Sequence, residues 1–499
     1  MFQDVAKGVV RNTSIIVLQQ IFTMAGGILL TLFLPRYLGA VEYGRLFLAI
    51  SIVGIFQVLV NYGGNYLISK EVSRNKDSTA QLLVDSIALR MLFALLSIVS
   101  IILLARFAHY NEETNTILTI MSLGLLAWAV TTTFFACYQG HELLQFTSFA
   151  AVAERLFVSS VAVVALLLGA NAILIAIIIV TGGFINTSVM LRFSKSLVKS
   201  IPKVDWRNAF TQIRTGAPYF FLVAFGTIYY RIDSVMLSKM VPEEVIGYYG
   251  VAYRFFESMN FPQILTVAVY PVLARLWKGE SDMHRRTTQK SLEYVIMFGI
   301  LMSIGMIAFS QEVVSIFYGI EEYAQAVILL QCLAGGMFFL YVDMILGTTL
   351  LASDKQKSLM SVSLVTIPIN VVLNFILIPY TQDHFSNGGI GAAVATGITE
   401  IFVMSSFLLL LPKGVLQNFR YQVVFKSLLA GSCTSAFFLG GFALHIHWVL
   451  LGILGTGLYI AILFLARTIE QRETDFYKHF VLVTFPSKIR SVIKSRFGL

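Results

Sequence analysis

Apolar residues run along this chain in long blocks, and polar residues gather in the short breaks between them. Each block is roughly 20 residues, enough as α-helix to cross the ~30 Å hydrocarbon layer of a membrane. The pattern predicts fourteen spans, near 13–34, 44–68, 83–105, 115–137, 146–168, 171–193, 215–240, 247–274, 290–309, 325–352, 357–378, 389–411, 424–445 and 447–467. No soluble domain is inserted between them. The first block is not followed by a small-residue cleavage site, so it is read as a retained span rather than a removed signal.

Of the 499 residues, 57% are hydrophobic and 13% charged. A soluble chain of this length needs more polar surface than that. The placement of charge tests the span count. With the N-terminus inside, the outward loops hold only Arg36, Arg45, Arg106 and Lys239, and four arginines lie within spans: Arg90, Arg155, Arg231 and Arg254. The rest of the 36 Lys and Arg fall on inward connections and the C-terminal segment. This is the positive-inside pattern, and it predicts a multi-pass protein of the cell (inner) membrane with both termini cytoplasmic. The net charge of +9 is then topological and does not call for nucleic acid. Three cysteines, Cys137, Cys332 and Cys433, each fall inside a predicted span without a CxxC pair or a histidine at ligand spacing. Neither a disulfide framework, a metal site nor a cofactor is expected.

The basic stretch 192–214 separates spans 6 and 7, and span starts on its two sides correspond at an offset of about 200 residues. "EYGRLFLAI" (42–50) and "YYGVAYRFF" (248–256) occupy the same place in each half. Six spans per half make parallel repeats, with a cavity between two lobes. The predicted fold class is an all-α polytopic membrane protein of fourteen helices: two six-helix lobes and two C-terminal helices. The expected divisions are an N-terminal lobe at 1–193, a basic linker at 194–214, a C-terminal lobe at 215–411, spans 13 and 14 at 412–475, and a basic amphipathic tail at 476–499. The tail is expected on the inner surface, held by anionic lipid. A hydrated cavity also answers why "FFLVAFGTIYYRIDSVMLSKM" (220–240) tolerates Arg231 and Asp233, since both can face it if the helix is irregular or one side chain snorkels outward.

Three stretches carry a family resemblance. "PRYLGAVEYGRLF" (35–47) resembles the entry to the second span in Wzx-type polysaccharide flippases of the multidrug/oligosaccharidyl-lipid/polysaccharide exporter superfamily. "YYRIDSVMLSKMVPEEVIGYYGVAYRF" (229–255) resembles the start of that family's second lobe, and "NGGIGAAVATGITE" (387–400) its glycine-alanine entry to span 12. The resemblance implies two bundles around a V-shaped cavity and transfer of polyprenyl-pyrophosphate-linked oligosaccharide from the inner to the outer leaflet. Polysaccharide assembly proteins are the implied protein partners. "NYGGNYL" (61–67) departs from the pattern, having no acidic residue near its glycines.

An anionic pyrophosphate asks for cations, and arginine's planar fork donates two parallel hydrogen bonds to phosphate oxygens. Arg155, about nine residues into span 5, is the leading candidate; its alternative is an internal ion pair. Arg90 can receive the head group near the inner side or snorkel to the interface. Arg231 joins them as a cavity cation. Arg254 and Glu257 are spaced i,i+3 and can pair with each other or meet substrate. Glu400 and Asp343 are intramembrane carboxylates, and with Asp233 they are candidates for a proton or sodium site coupling transport to an ion gradient; partnership with an arginine is the alternative. Glu154, next to Arg155, diverges from it by about 100° and faces elsewhere. Pro218, Pro262, Pro271 and Pro368 predict that bends concentrate in the second half. The rivals are an ion-coupled drug exporter of the same fold, and a membrane glycosyltransferase or polymerase. Four intramembrane arginines weigh against the first, and short outward loops against the second.

Overall fold

The computed structural model describes residues 2–198, 202–259, 262–277 and 281–468. The tail at 476–499 lies outside the described residues. Among those described there are sixteen α-helices and no strand. They are α1 (Phe2–Asn61), α2 (Gly64–Arg74), α3 (Thr79–Phe107), α4 (Glu112–Gly140), α5 (Leu144–Leu167), α6 (Ala172–Arg192), α7 (Trp206–Met240), α8 (Glu243–Ser258), α9 (Pro262–Trp277), α10 (Ser281–Ala308), α11 (Ser310–Phe317), α12 (Ile320–Ala352), α13 (Gln356–Phe385), α14 (Gly389–Leu410), α15 (Gln422–Ala443) and α16 (Trp448–Leu465).

Local chemistry sets several of the starts. Asn111 caps α4 by accepting from the Thr114 N–H at 2.8 Å, and Asn171 caps α6 by accepting from Leu174 N–H at 3.0 Å. Asp205 does the same for α7 through Arg207 N–H at 2.9 Å. Each side-chain oxygen satisfies a donor that the first turn of a helix leaves without a partner.

Twelve described segments are long and apolar enough to cross a membrane. The first, Phe22–Arg74, has 53 residues, roughly 80 Å of helix, well over one membrane thickness. It runs through predicted spans 1 and 2. Predicted span 8 is divided between α8 and α9, each of 16 residues. Large apolar side chains such as Leu168 and Leu409 are more than 80% exposed, an exterior suited to lipid rather than water.

The backbone breaks fall in both halves: span 8 is divided ahead of Pro262 as the prolines suggested, while α12 is kinked at Tyr323 and α1 at Gly39. Inside α1, Pro35 precedes Gly39, whose φ of 76° and ψ of 169° divide the helix in two. Tyr62 and Gly63, with φ of 41° and 79°, separate α1 from α2. Glycine at 39 and 63 takes that left-handed region without a Cβ clash, while Tyr62 holds it under strain. In the second half Pro262 opens α9, where proline's missing N–H costs nothing, and Pro271 and Pro368 sit within helices α9 and α13.

Two compact units are distinguished. One draws on Met1–Phe261, Ser310–Gly336 and Asp354–Leu410, the other on Pro262–Phe309, Met337–Ser353 and Leu411–Leu499. In the first, α1 packs on α5, α7 and α8, α4 on α3 and α6, and α13 on α7 and α14. In the second, α10 packs on α9 and α15, and α15 on α16. Gly44 of the first repeat stretch and Gly247, just ahead of the second, have a packing reason within the first unit. A Cβ on Gly44 would come within 2.8 Å of the Gly247 nitrogen, and one on Gly247 would run into the Ala40 carbonyl. Here α1 and α8 touch backbone to backbone, which only small residues permit.

Candidate functional site

Three of the four predicted arginines converge in the first unit. Arg231 of α7 reaches Glu257 of α8 at 3.3 Å, and Arg254 reaches the other oxygen of Glu257 at 3.6 Å. The side chains of Arg231, Arg254 and Glu257 are 21%, 39% and 31% exposed, so the pairing leaves them open to a ligand. Arg155 of α5 lies within electrostatic reach of Arg254. Its stem is laid over Gly26 of α1, where a Cβ would sit 2.6 Å from Cγ. Among the described residues its guanidinium has no ion-pair partner. Arg231 and Arg254 therefore share the Glu257 carboxylate, and Arg155 adds a third guanidinium within electrostatic reach of Arg254 and of its own neighbour Glu154, with Tyr43 and Tyr318 also in electrostatic reach of Arg254. Surplus positive charge in a partly desolvated site is an arrangement that an anion with several oxygens can complete.

Arg90 is placed differently. It is fully buried, neither snorkelling nor facing a cavity. Its guanidinium donates to Thr132 Oγ1 at 2.7 Å, Asn65 Oδ1 at 2.8 Å, and Thr133 Oγ1 and Asn61 Oδ1 at 3.2 Å. It also lies over the Tyr62 ring, 5.5 Å from the centroid, an arrangement favoured by the ring's electron-rich face. These partners flank the strained Tyr62–Gly63 break, so Arg90 pins α1, α2 and α4 together there.

The acids occupy a second locus. Asp233 is 4% exposed and sits in a seam of four helices rather than in a cavity. It accepts from Asn374 Nδ2 at 2.7 Å, Thr396 Oγ1 at 2.8 Å and the Tyr249 hydroxyl at 3.1 Å. Asn374 also donates to Asn370 Oδ1 at 2.9 Å. One turn along α14, Glu400 accepts from the Tyr229 hydroxyl at 2.7 Å. The pairs Tyr229/Asp233 and Thr396/Glu400 are each spaced i,i+4, so α7 and α14 present matched polar rungs. Neither the helix irregularity nor the snorkelling expected for Arg231 and Asp233 is needed. Helix α7 is unbroken, and its two charges diverge, Arg231 toward Glu257 and Asp233 into the seam. Asp343, in the second unit, is buried on α12 at 5% exposure.

A third polar cluster, not foreseen from the sequence, lies on the side that charge placement marks as external. Arg45 pairs with both Glu243 and Glu113, at 2.8 Å to the former. Glu243 also accepts from Asn111 Nδ2 at 2.8 Å and from Thr114 Oγ1 at 3.2 Å. Glu322 of α12 accepts from Ala40 N–H at 2.7 Å, capping the half-helix that restarts after Gly39. The missed signal for the acid seam was Asn370 and Asn374, two amides one turn apart in an apolar helix. The Arg45 cluster had none beyond single charges at span ends.

Fold and sites together define a class: a multi-pass helical membrane protein that holds cations and carboxylates among its spanning helices. Comparison with solved structures gives the same class. The lipid II flippase MurJ, in an inward closed conformation, superposes with a TM-score of 0.68, covering 95% of this chain and 100% of that one at 16% identity. At that identity the likeness shows the fold, the two-lobe helical fold expected. Residues 9–277, more than half of the chain, match the polysaccharide biosynthesis protein family, and the chain belongs to that family. Residues 218–376 also match the MatE family. The probable low-salt glycan biosynthesis flippase Agl15 of Haloferax volcanii is 26% identical over 40% of this chain and 41% of its own length. The capsular polysaccharide biosynthesis protein CapF of Staphylococcus aureus is 24% identical over 38% of this chain and 47% of its own. The chain thus spans less than half the length of these curated relatives.

Proposed function

We propose that this protein is a flippase that carries polyprenyl-(pyro)phosphate-linked oligosaccharide from the cytoplasmic to the outer leaflet by alternating access, for surface polysaccharide synthesis. The observation that carries the reading is the grouping of Arg155 with Arg231 and Arg254, of which the last two share the carboxylate of Glu257. Left empty, such a cluster is unfavourable, because like charges in a low dielectric repel and each guanidinium has lost water. A pyrophosphate supplies the missing negative charge and enough oxygens for forked contacts. The membership in a polysaccharide biosynthesis family and the names of the flippase relatives support the substrate class. Movement between leaflets makes and breaks no covalent bond, so the reading requires no catalytic residues.

The buried seam around Asp233 and Glu400 supports a proton or sodium site that couples this movement to an ion gradient. Among the described residues the donors to Asp233 are neutral, so a small cation or a proton can neutralise it without displacing an arginine. The match to the MatE family over 218–376 covers Asp233 and favours, as a second reading, an ion-coupled exporter of small molecules. The arginine cluster distinguishes the two, since cationic or neutral drugs have no use for it.

The test is a substitution series at Arg155 with abundance and leaflet transfer measured together. Lysine keeps the charge and loses the fork, and alanine loses both. Transfer should fall in the order Arg155, Arg155→Lys, Arg155→Ala, with at least a tenfold loss in the last, equivalent to ~1.4 kcal/mol. Abundance should hold, because Arg155 leaves no paired acid behind. Normal transfer by an abundant Arg155→Ala protein would exclude it from the substrate site.

A further inference from the structure

Within the first unit, helices α1, α4, α5 and α6 line a half-open cavity of about 140 Å³ whose lining includes Gln57, Trp128, Thr131, Glu154 and Asn186. This is space for about four or five waters. Asn186 is 6% exposed and donates its amide N–H to Glu154 Oε2 at 2.6 Å. Its carbonyl oxygen Oδ1 is buried without a hydrogen-bond partner among the described residues. Leaving a buried acceptor unsatisfied costs on the scale of a lost hydrogen bond, so an occupant that donates is called for. The lining as a whole is rich in acceptors: a carboxylate, two amide carbonyls and the Thr131 hydroxyl, which shares a 2.8 Å hydrogen bond with Thr187. The rest is apolar, Val53, Met121 and Ile179 among it, with the indole of Trp128.

We infer that this cavity is a sugar subsite, taking the edge of one ring of the transported glycan. The inference rests on the flippase reading and adds a contact to it. A sugar ring has hydroxyls that donate and C–H faces that are apolar, and the lining offers both kinds of partner. Hydroxyls donate to Glu154 and to the free Asn186 oxygen, and a C–H face lies against Trp128. A bare cation fits less well, since it draws oxygens to within about 2.3–2.6 Å of one point. This lining is half apolar and carries one carboxylate. Glu154 and its neighbour Arg155 would then divide the substrate between them, glycan to one side of α5 and phosphate to the other.

The experiment uses the full-length protein in detergent and sodium-free buffer, with glucose, galactose, N-acetylglucosamine and rhamnose as probes at 100 mM. Ligand binding to the folded state raises the unfolding midpoint. At least one sugar should raise it by about 1–3 °C in the wild type, and the rise should vanish in Glu154→Gln and Asn186→Ala. No rise with any sugar, or an equal rise in the variants, overturns the subsite. A rise with sodium chloride alone that the same variants lose also overturns it, in favour of a cation site. Leaflet transfer separates this from the reading beneath it. Full transfer by both variants, beside lost transfer in Arg155→Ala, sinks the subsite alone. A sugar-dependent rise in a wild-type protein that moves no lipid-linked glycan keeps the sugar site and sinks the flippase reading.

Discussion

Arg90 donates four hydrogen bonds to neutral oxygens and is fully buried, whereas Arg155 is half-buried with no ion pair among the described residues. Opposite outcomes follow for their removal. Arg90→Ala strands the Asn65 carbonyl, leaves Asn61 Oδ1 with only the Asn65 N–H, and opens a cavity at the Tyr62–Gly63 break, a loss of about 3 kcal/mol or more. Arg90→Lys offers three donors from one point instead of a fork and should recover only part of it. Thermal unfolding and membrane abundance should therefore fall in Arg90→Ala, with transfer falling in proportion to protein. An unaltered unfolding midpoint would contradict the structural role. That arginines lie inside the spans was legible from the sequence, because charge against an apolar background stands out. Which of them would be pinned was not. The deciding partners, Asn61, Asn65 and Thr132, are neutral residues whose meaning comes only from helices distant in sequence. The same holds for Asp233, read as a cavity residue and found in a seam made by Tyr249, Asn374 and Thr396.

Helix boundaries were legible where turn chemistry is local, as at Asn111, Asn171 and Asp205, because a cap is decided within a few residues. Breaks were less so. Prolines in the second half pointed to bends there, yet α1 is divided at Gly39 and parted from α2 at Tyr62–Gly63 in the first half, and α12 is kinked at Tyr323 rather than at a proline. Gly39 also shows how an element break becomes a contact. Restarting the helix frees the Ala40 N–H, and Glu322 arrives to accept it. Nearby, Arg45 joins the starts of α4 and α8 through Glu113 and Glu243. This cluster is expected to latch the external side of the first unit. Arg45→Ala should raise the rate at which an impermeant thiol reagent labels a Val245→Cys reporter, buried at 4% exposure, by about fivefold. That is ~1 kcal/mol in the closed-to-open equilibrium, the scale of a partly exposed charge pair. Labelling at the unaltered rate would show that the pairings are incidental.

At the scale of the whole molecule, the class of fold was the most legible feature, because apolar block length and charge asymmetry are properties of hundreds of residues together. The seam and the cluster make one account. In the function we propose, anionic substrate meets Arg155, Arg231 and Arg254, while Asp233 and Glu400 sense an ion on neighbouring helices of the same unit. Helices α7 and α8 carry members of both, Arg231 with Asp233 on one, Tyr249 with Arg254 and Glu257 on the other. A change in charge at Asp233 therefore has a short mechanical route to the arginines. The most direct measurement places the purified protein in vesicles with a polyprenyl-pyrophosphate-linked oligosaccharide labelled on its glycan. An impermeant glycan-cleaving reagent then reports how much label has crossed to the opposite leaflet, with and without an imposed sodium or proton gradient. The account predicts crossing well above that of protein-free vesicles, faster under one of the gradients, with the acceleration lost in Asp233→Asn. Crossing at the protein-free rate under every gradient would contradict it.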